Sequence, residues 1–508
     1  MLAISDGSLI PNWPNSLRSL KARIHCGHMS LSFTSLEFIL FLGLCLGIVR
    51  GTGSVSARKW LLIIFSYFFC LSFGVVGVIV VTLTALVDFN VGRRLGNSTR
   101  TGTGRQWLWA GLAVNLGLLI LFKYSAFLAE TITVALHPLG VRVSVPGDPL
   151  LTIAGLSYFT FAGMSYLFDI YYEKIEPTQS ISEYVCYLVY FPKFVAGPIV
   201  RAAEFLPQLR GGVQVTAQDF ETGCAYLLVG AIKKLVIADQ LAGHVSMILA
   251  TPQHYKAFTL VQGMLGYTVQ IYADFAGYSD MAIGCARLMG IRFPQNFLMP
   301  YSAVNIAEFW RRWHVTLSSW FRDYVFLPLE VGSRGTRNAS IRASRNIVIT
   351  MLLCGLWHGA SWNFVLWGGL HGVALAMYQV YASVLPRKVH RGTPTSLHFG
   401  TLVARALTLS VVMVGWILFG TQTLTLAFKY IWRMLTWSSD GVDLGSAYIL
   451  PLTGLVLLVH LLIDKDRNLI EELSTYSAPV RIFTLATLMT ALVCLVPSDG
   501  VPFAYLRF

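Results

Sequence analysis

The stretch QIYADFAGYSDMAIG, residues 270–284, leads through RFPQNF, residues 292–297, to EFWRRWHVTLSSWFRDY, residues 308–324. A second stretch, GLWHGASWNFVLWGG at residues 355–369, follows it. Together they concentrate acidic, basic and imidazole side chains in a chain that is otherwise strongly apolar. Because polar groups are costly to bury in apolar surroundings, we expect these stretches to organise the fold and to carry its function.

The composition predicts an all-α polytopic membrane protein. Of the 508 residues, 55% are hydrophobic and 12% are charged, and the mean hydropathy is +0.61. A water-soluble fold cannot bury so much apolar surface. The formal charge of +13 would suggest nucleic acid as the partner of a soluble protein, but Lys and Arg in cytoplasmic loops explain it in a membrane protein. The eight cysteines are scattered singly, so we expect neither a disulfide framework nor a metal site.

The chain divides into a short polar extension and one membrane domain. Residues 1–28 lack the apolar core of a secretory signal, so we expect them to be disordered or to precede the true start at Met29. Residues 29–508 contain apolar runs that predict roughly 10–12 transmembrane helices, plus interfacial or re-entrant helices around a central tunnel. The run at residues 60–87 fits either one tilted helix or two short ones.

Two of the apolar runs are interrupted by residues that a lipid-exposed helix would exclude. Lys233 and Lys234 are adjacent, and we expect both side chains to extend to the lipid headgroups. Residues 190–201 carry Pro192 and Pro198, so a continuous helix is not expected there. Irregular backbone at membrane depth is tolerated where protein or a watery cavity surrounds it, so this segment is expected to wall a site.

Residues 306–324 predict a single amphipathic helix with aromatic residues on one face and arginines on the other. Such a helix is typical of a membrane interface. Its arginines either anchor it there or bind the phosphates of a donor. His314 lies beside the apolar face, so we expect its imidazole to point inward.

His358 is set between apolar sequences and small residues. Gly355 and Gly359 have the four-residue spacing that lets helices approach closely in a membrane. Burial there removes the hydration of a charged imidazole, so His358 is expected to stay neutral and basic. His371 and His460 are expected to be ordinary interhelical hydrogen-bonding groups.

With these motifs in this order, the chain resembles the membrane-bound O-acyltransferase family, in its bacterial alginate O-acetyltransferase branch. The segments at residues 155–172 and 190–201 and the terminal FAYLRF extend the resemblance over most of residues 29–508. The resemblance implies a multi-pass enzyme of the bacterial inner membrane. It would take an acetyl group from cytoplasmic acetyl-CoA and deliver it for O-acetylation of an exported polysaccharide.

The resemblance also assigns roles to particular residues. His358 in the WHG element is the proposed catalytic residue, and His314 in the RRWH element is its usual companion. Acyl transfer to an alcohol needs a base that removes the hydroxyl proton during attack on the thioester carbonyl, and a neutral imidazole can serve. His314 or Asn363 is expected to orient the acceptor or stabilise the oxyanion. The other residues expected to bind donor or acceptor are Arg311, Arg312, Arg322, Asp280, Trp313 and Ser361.

The acceptor stays open at the level of sequence. Glu330-Val331 stands where relatives usually have a Gly-Gly turn, and residues 1–28 have no counterpart, so cellulose and peptidoglycan are alternatives to alginate. An acyltransferase for a lipid, a protein or a teichoic-acid carrier is the nearest rival. A secondary transporter should show two related halves, which the sequence lacks. Short loops and the lack of a Gly-x-Ser-x-Gly elbow predict a periplasmic or membrane-anchored acetyltransferase as partner.

Overall fold

The computed structural model describes residues 31–98, 102–139, 153–212, 215–331, 339–384, 399–444, 448–463 and 468–496. The predicted polar extension at residues 1–28 lies outside them. In the described part, the regular structure is helical apart from one bridge between Tyr255 and Val442. The prediction of an all-α fold is therefore confirmed.

The first three helices follow one another through short connections. The apolar run at residues 60–87 forms two helices, because the chain turns at residues 72–74 and Gly74 adopts a φ of 120°. A π-helical turn, Ile120–Tyr124, joins the fourth helix to the fifth. The helices are α1 Leu36–Gly51, α2 Val55–Leu71, α3 Val75–Ser98, α4 Gly104–Leu119, α5 Ser125–Leu136 and α6 Leu156–Tyr171.

The middle of the chain contains the predicted interruption and the longest helix. A helix ends at Val189, and Pro192 then opens a helix of a single turn, so the prediction of broken backbone at residues 190–201 is confirmed. Residues 190–200 are all buried in protein. The helices here are α7 Ile181–Val189, α8 Phe191–Phe194, α9 Ala202–Arg210, α10 Ala217–Ala231, α11 Asp239–Ala250 and α12 Ala257–Leu288.

The last part of the chain alternates short buried helices with long apolar ones. A π-helical segment, Ile232–Ala238, joins α10 to α11, and another, Arg322–Phe326, precedes α15. The helices are α13 Ile306–Arg312, α14 Val315–Phe321, α15 Leu327–Val331, α16 Ala339–His358, α17 Trp362–Val384, α18 Phe399–Gly420, α19 Leu424–Leu435, α20 Ile449–Leu462, α21 Leu469–Leu473 and α22 Ala478–Leu495.

Five helices in the described residues have the length and hydropathy of a membrane crossing. The remaining helices are shorter, broken or more polar, so the number of 10–12 crossings stays a prediction, as does the central tunnel. The five are Val75–Ser98, Gly104–Leu136, Ala339–His358, Phe399–Gly420 and Ala478–Leu495.

The long helix α12 forms the centre of the protein. It has 32 residues, and nearly all of those from Gly266 onward are buried. It packs against α10 and α11 on one side and against α18, α19 and α20 on another. A helix surrounded in this way must bury its polar residues against protein partners, because neither water nor headgroups can reach them.

The prediction that both lysines of the 233–234 pair extend to the headgroups is wrong. Lys234 Nζ lies 2.7 Å from Asp274 Oδ1 and 2.8 Å from Asp239 Oδ1, and its side chain is only 2% exposed. Lys233 Nζ lies 2.6 Å from Asp280 Oδ2. The carboxylates of α12 and α11 attract the lysines inward, and these ion pairs tie the π-helical segment to the central helix.

The prediction of a single amphipathic helix at residues 306–324 is also wrong. α13 ends at Arg312, and α14 begins at Val315, because His314 adopts a left-handed backbone conformation with a φ of 42°. The aromatic face is not exposed on the surface of the protein. Its large side chains are buried in protein, among them Trp310, Trp313, Trp320 and Phe321.

The hairpin of α16 and α17 brings two helix backbones into close contact. A Cβ atom at Gly355 would collide with the carbonyl group of Phe364, and one at Gly368 would collide with the carbonyl group of Met351. Of the two glycines noted in the sequence, Gly355 serves the predicted close helix approach, whereas Gly359 lies beyond the end of α16 and a Cβ atom there would meet the Phe364 ring. The turn of this hairpin begins directly after His358.

We expect Gly355→Ala to destabilise the protein by about 1–3 kcal/mol or to prevent its accumulation, because the added methyl group overpacks this contact. Gly369→Ala is the matched control, since a Cβ there would meet only the Leu352 side chain, at 3.5 Å. Thermal unfolding in detergent measures both effects. Equal melting temperatures for the two variants would show that the contact is not as tight as the structure indicates.

Candidate active site

His358 is the last residue of α16 and is buried among aromatic rings. Its ring centroid lies 5.0 Å from that of Trp357, 4.9 Å from that of Trp367 and 5.3 Å from that of Phe419. These rings come from α16, α17 and α18. The structure therefore agrees with the predicted apolar setting of this histidine.

His314 is fully buried and is held by an asparagine. Its Nδ1 lies 3.1 Å from Asn296 Oδ1, which also accepts hydrogen bonds from the backbone N–H and the hydroxyl group of Thr316. Asn296 Nδ2 donates to Ser279 Oγ at 3.0 Å. These contacts identify Oδ1 as the acceptor, so His314 Nδ1 carries the proton and Nε2 presents a lone pair.

The two histidines contact the same indole. The ring centroid of Trp357 lies 6.0 Å from that of His314 and 5.0 Å from that of His358. Tyr158 packs against the same indole at 5.5 Å. The break at residues 313–314 is what turns the His314 ring toward α16, so the left-handed residue helps to assemble the pair.

Several polar atoms in this cluster have no hydrogen-bond partner in the described part of the chain. They are Nε2 of His314 and the indole N–H groups of Trp313, Trp357 and Trp367. Buried polar atoms are nearly always paired, so such a concentration indicates a place for a polar ligand or water. The set offers one acceptor and three donors without a formal charge, which suits a carbonyl group and a hydroxyl group.

The predicted residues Asn363, Trp313 and Ser361 lie around this cluster with structural contacts of their own. Asn363 Nδ2 donates to the carbonyl oxygens of Leu418 and Thr421, at 3.2 and 2.9 Å, and so ties α17 to the end of α18. The Trp313 ring packs against that of Trp416, at 4.8 Å. Ser361 lies half-buried in the turn after His358, where its backbone N–H donates to the Gly359 carbonyl.

The predicted arginines do not share one polar face. Arg311 and Arg322 are exposed, and Arg322 Nε lies 2.8 Å from Asp323 Oδ1. Arg312 is buried and donates to the Glu308 carboxylate and the Ser302 hydroxyl group. The break at residues 313–314 shortens the helix, so α13 buries Arg312 against its own first turn and the preceding loop. Asp280 is likewise engaged, in the ion pair with Lys233.

The sequence interpretation assigned no role to Asn296, Trp357 or Lys123. Lys123 Nζ donates to the carbonyl oxygens of Trp357 and His358. A signal was present for it, because a lysine inside the apolar run at residues 107–127 is costly and marks function more often than chance. Asn296 gave a similar signal, because it is a polar amide within the FPQNF motif. Nothing local in the sequence distinguishes Trp357 from the other tryptophans.

Comparison with known proteins places this site within a family region. The family model described as "MBOAT, membrane-bound O-acyltransferase family" matches residues 150–419, which contain both histidines. The chain is 34% identical over 432 residues to probable alginate O-acetylase AlgI of Azotobacter vinelandii, covering 84% of this chain and 83% of that protein.

Two further relatives carry other activities in their names. The peptidoglycan O-acetyltransferase of Helicobacter pylori is 31% identical over 368 residues, covering 67% of this chain and 66% of that protein. The teichoic acid D-alanyltransferase of Bacillus subtilis is 28% identical over 279 residues, covering 54% of this chain and 70% of that protein. The chain is therefore a multi-pass membrane acyltransferase and belongs to the membrane-bound O-acyltransferase family.

Proposed function

We propose that this protein moves an acetyl group from cytoplasmic acetyl-CoA across the bacterial inner membrane for O-acetylation of an exported polysaccharide. The observation that carries the proposal is the pair of buried histidines on one indole, among neutral hydrogen-bonding groups. The long match to a probable alginate O-acetylase favours a polysaccharide over the teichoic-acid carrier, whose named relative matches a shorter part of the chain.

The proposed reaction assigns the base role to His358. The acceptor hydroxyl oxygen attacks the acetyl carbonyl carbon, and its proton passes to the imidazole. The carbon–sulfur bond then breaks, and the proton returns to the leaving thiolate. His314 is assigned to positioning the acceptor beside His358, whereas the indole N–H groups without partners in the described residues are suited to the developing oxyanion. Asn363 is less suited to that task because its amide hydrogens already serve α18.

The distribution of basic residues supports an orientation in the membrane. Arg50 lies in the last turn of α1, Arg58 in the first turn of α2, Arg94 near the end of α3 and Arg105 in the first turn of α4. Basic helix ends favour the cytoplasm, so this end of the bundle is assigned to that side. Lys123, which contacts the His358 carbonyl, lies about 28 Å farther along the helix that starts at Gly104. His358 is thus placed toward the acceptor side.

We expect His358→Gln to lower kcat by about 100- to 10,000-fold while the protein stays folded, since the base is lost but the volume is kept. His314→Ala should have a smaller effect because its role is orientation. Acetyl transfer and thermal unfolding are measured for each variant. His254→Ala, at an exposed histidine between α11 and α12, is the control and should retain the wild-type rate. A wild-type rate in His358→Gln would remove this residue from the mechanism.

Arg311 is the remaining candidate of the 311–312 pair for the phosphates of the donor, because it is exposed and Arg312 is engaged. We expect Arg311→Gln to raise the KM for acetyl-CoA by about tenfold without changing kcat, as the loss of one charge-assisted contact predicts. Arg312→Gln should instead reduce the amount of folded protein, because Glu308 loses a buried partner. An unchanged KM in Arg311→Gln would leave this arginine as a membrane anchor.

A periplasmic or membrane-anchored partner with its own nucleophilic hydroxyl group completes the proposed function. A polymer cannot enter a buried site of this kind, whereas a single hydroxyl group can reach it. We expect liposomes with acetyl-CoA inside and glycan outside to acetylate the glycan only after the partner acetyltransferase is added. His358→Gln liposomes serve as the control for leakage of donor. Efficient glycan acetylation by this chain alone would refute the two-component scheme.

A further inference from the structure

Lys123 connects the first half of the protein to the end of the helix that carries His358. It lies in the π-helical turn after α4. Its Nζ lies 2.6 Å from the carbonyl oxygen of Trp357, 3.3 Å from that of His358 and 3.3 Å from Ser157 Oγ. The same ammonium group lies 5.8 Å from the centroid of the Trp357 ring.

The next residue extends this contact by one carbonyl group. The Tyr124 hydroxyl donates to the Leu356 carbonyl oxygen at 3.0 Å. Residues 123–124 thus bind three successive carbonyl groups, those of residues 356–358. The last four carbonyl groups of an α-helix have no partner within the helix, and a cation at this end is favourable. Burying a lysine in an apolar segment is energetically unfavourable, so we expect its contact with these carbonyl groups to serve the structure or the function.

The position of these carbonyl groups matters because the backbone turns immediately beyond them. Gly359 follows His358, and Ser361 already belongs to the turn that starts α17. A side chain at such a helix end takes its direction from the last carbonyl-bearing residues, and the ring of His358 packs between the aromatic side chains of Trp367 and Phe419. A shift of the helix end would displace the imidazole relative to His314 and to the free indole N–H groups.

We propose that Lys123 is a positioning residue, which fixes the end of α16 so that the His358 imidazole faces the reacting hydroxyl group. This inference rests on the proposed function. Lys123 does not touch the reacting atoms in this scheme. Lys123 contributes through its hydrogen bonds to the backbone carbonyl groups of His358 and of Trp357, whose indole both histidines contact.

The first test compares three substitutions at one position. Lys123→Met removes the donor and the charge and should lower kcat by about 10- to 100-fold with an unchanged KM for acetyl-CoA, because misplacing a catalytic group by ~1 Å costs about that much. Lys123→Arg should recover most of the rate. Lys123→Gln keeps N–H donors without the charge and replaces Lys123→Met if that protein does not accumulate. Lys429→Met, at an exposed lysine of α19, is the matched control.

The second test is a double-mutant cycle with His358→Gln. If Lys123 acts through His358, Lys123→Met causes no further loss of kcat in the His358→Gln background. An equal loss in both backgrounds, or a wild-type kcat in Lys123→Met, would overturn the positioning role. If His358→Gln itself retains the wild-type rate, the proposed base role of His358 fails and takes this inference with it. An inactive His358→Gln with a fully active Lys123→Met would refute the positioning role alone.

Discussion

The close contact between α16 and α17 is the constraint on which the rest of the active site depends. Two helix backbones meet at Gly355 and Gly368 with no room for a Cβ atom on either side. That approach places the Trp367 ring against His358, and the turn of the hairpin begins directly after this histidine. Dispersion and backbone packing drive such contacts in a membrane, where lipid removes the hydrophobic contribution. The arrangement of the site therefore depends on close packing of the two helices, which the small residues allow.

The polar groups around this hairpin fall into two classes. Some have ion-pair or hydrogen-bond partners, and others have none in the described residues. Lys234, Asp280 and Arg312 lie in ion pairs, and Asn363 binds carbonyl groups of α18. In an apolar interior, a paired charge or amide fixes one arrangement of helices. Several of the atoms left without partners in the described residues lie near His314 and Trp357. Because an unpaired buried atom is costly, its persistence is better explained by a substrate than by stability.

The sequence predicted the parts of this site that follow from local pattern. Glycine spacing indicated the helix contact at Gly355, and apolar flanks indicated the burial of His358. The break at His314 could not be predicted in this way, because residues 306–324 keep a helical period throughout. What ends α13 is a contact with distant residues, as the Val315 backbone N–H donates to the Asn296 carbonyl. The burial of Lys234 depends on Asp239, which is near it in the sequence, and also on Asp274, 40 residues away, which no local signal reveals.

The proposed function requires one protein to handle both a highly charged donor and a reactive acetyl group, and the division of charge along the molecule is suited to that requirement. Phosphates need arginine and water, and exposed basic side chains lie at the helix ends assigned to the cytoplasm. A thioester is safer where water is scarce, and the region around His358 is lined by aromatic rings and neutral donors. If the two regions coincided, the water that surrounds the charged donor site would reach the base and hydrolyse the thioester. Separating the two regions allows each to keep the dielectric environment that its chemistry needs.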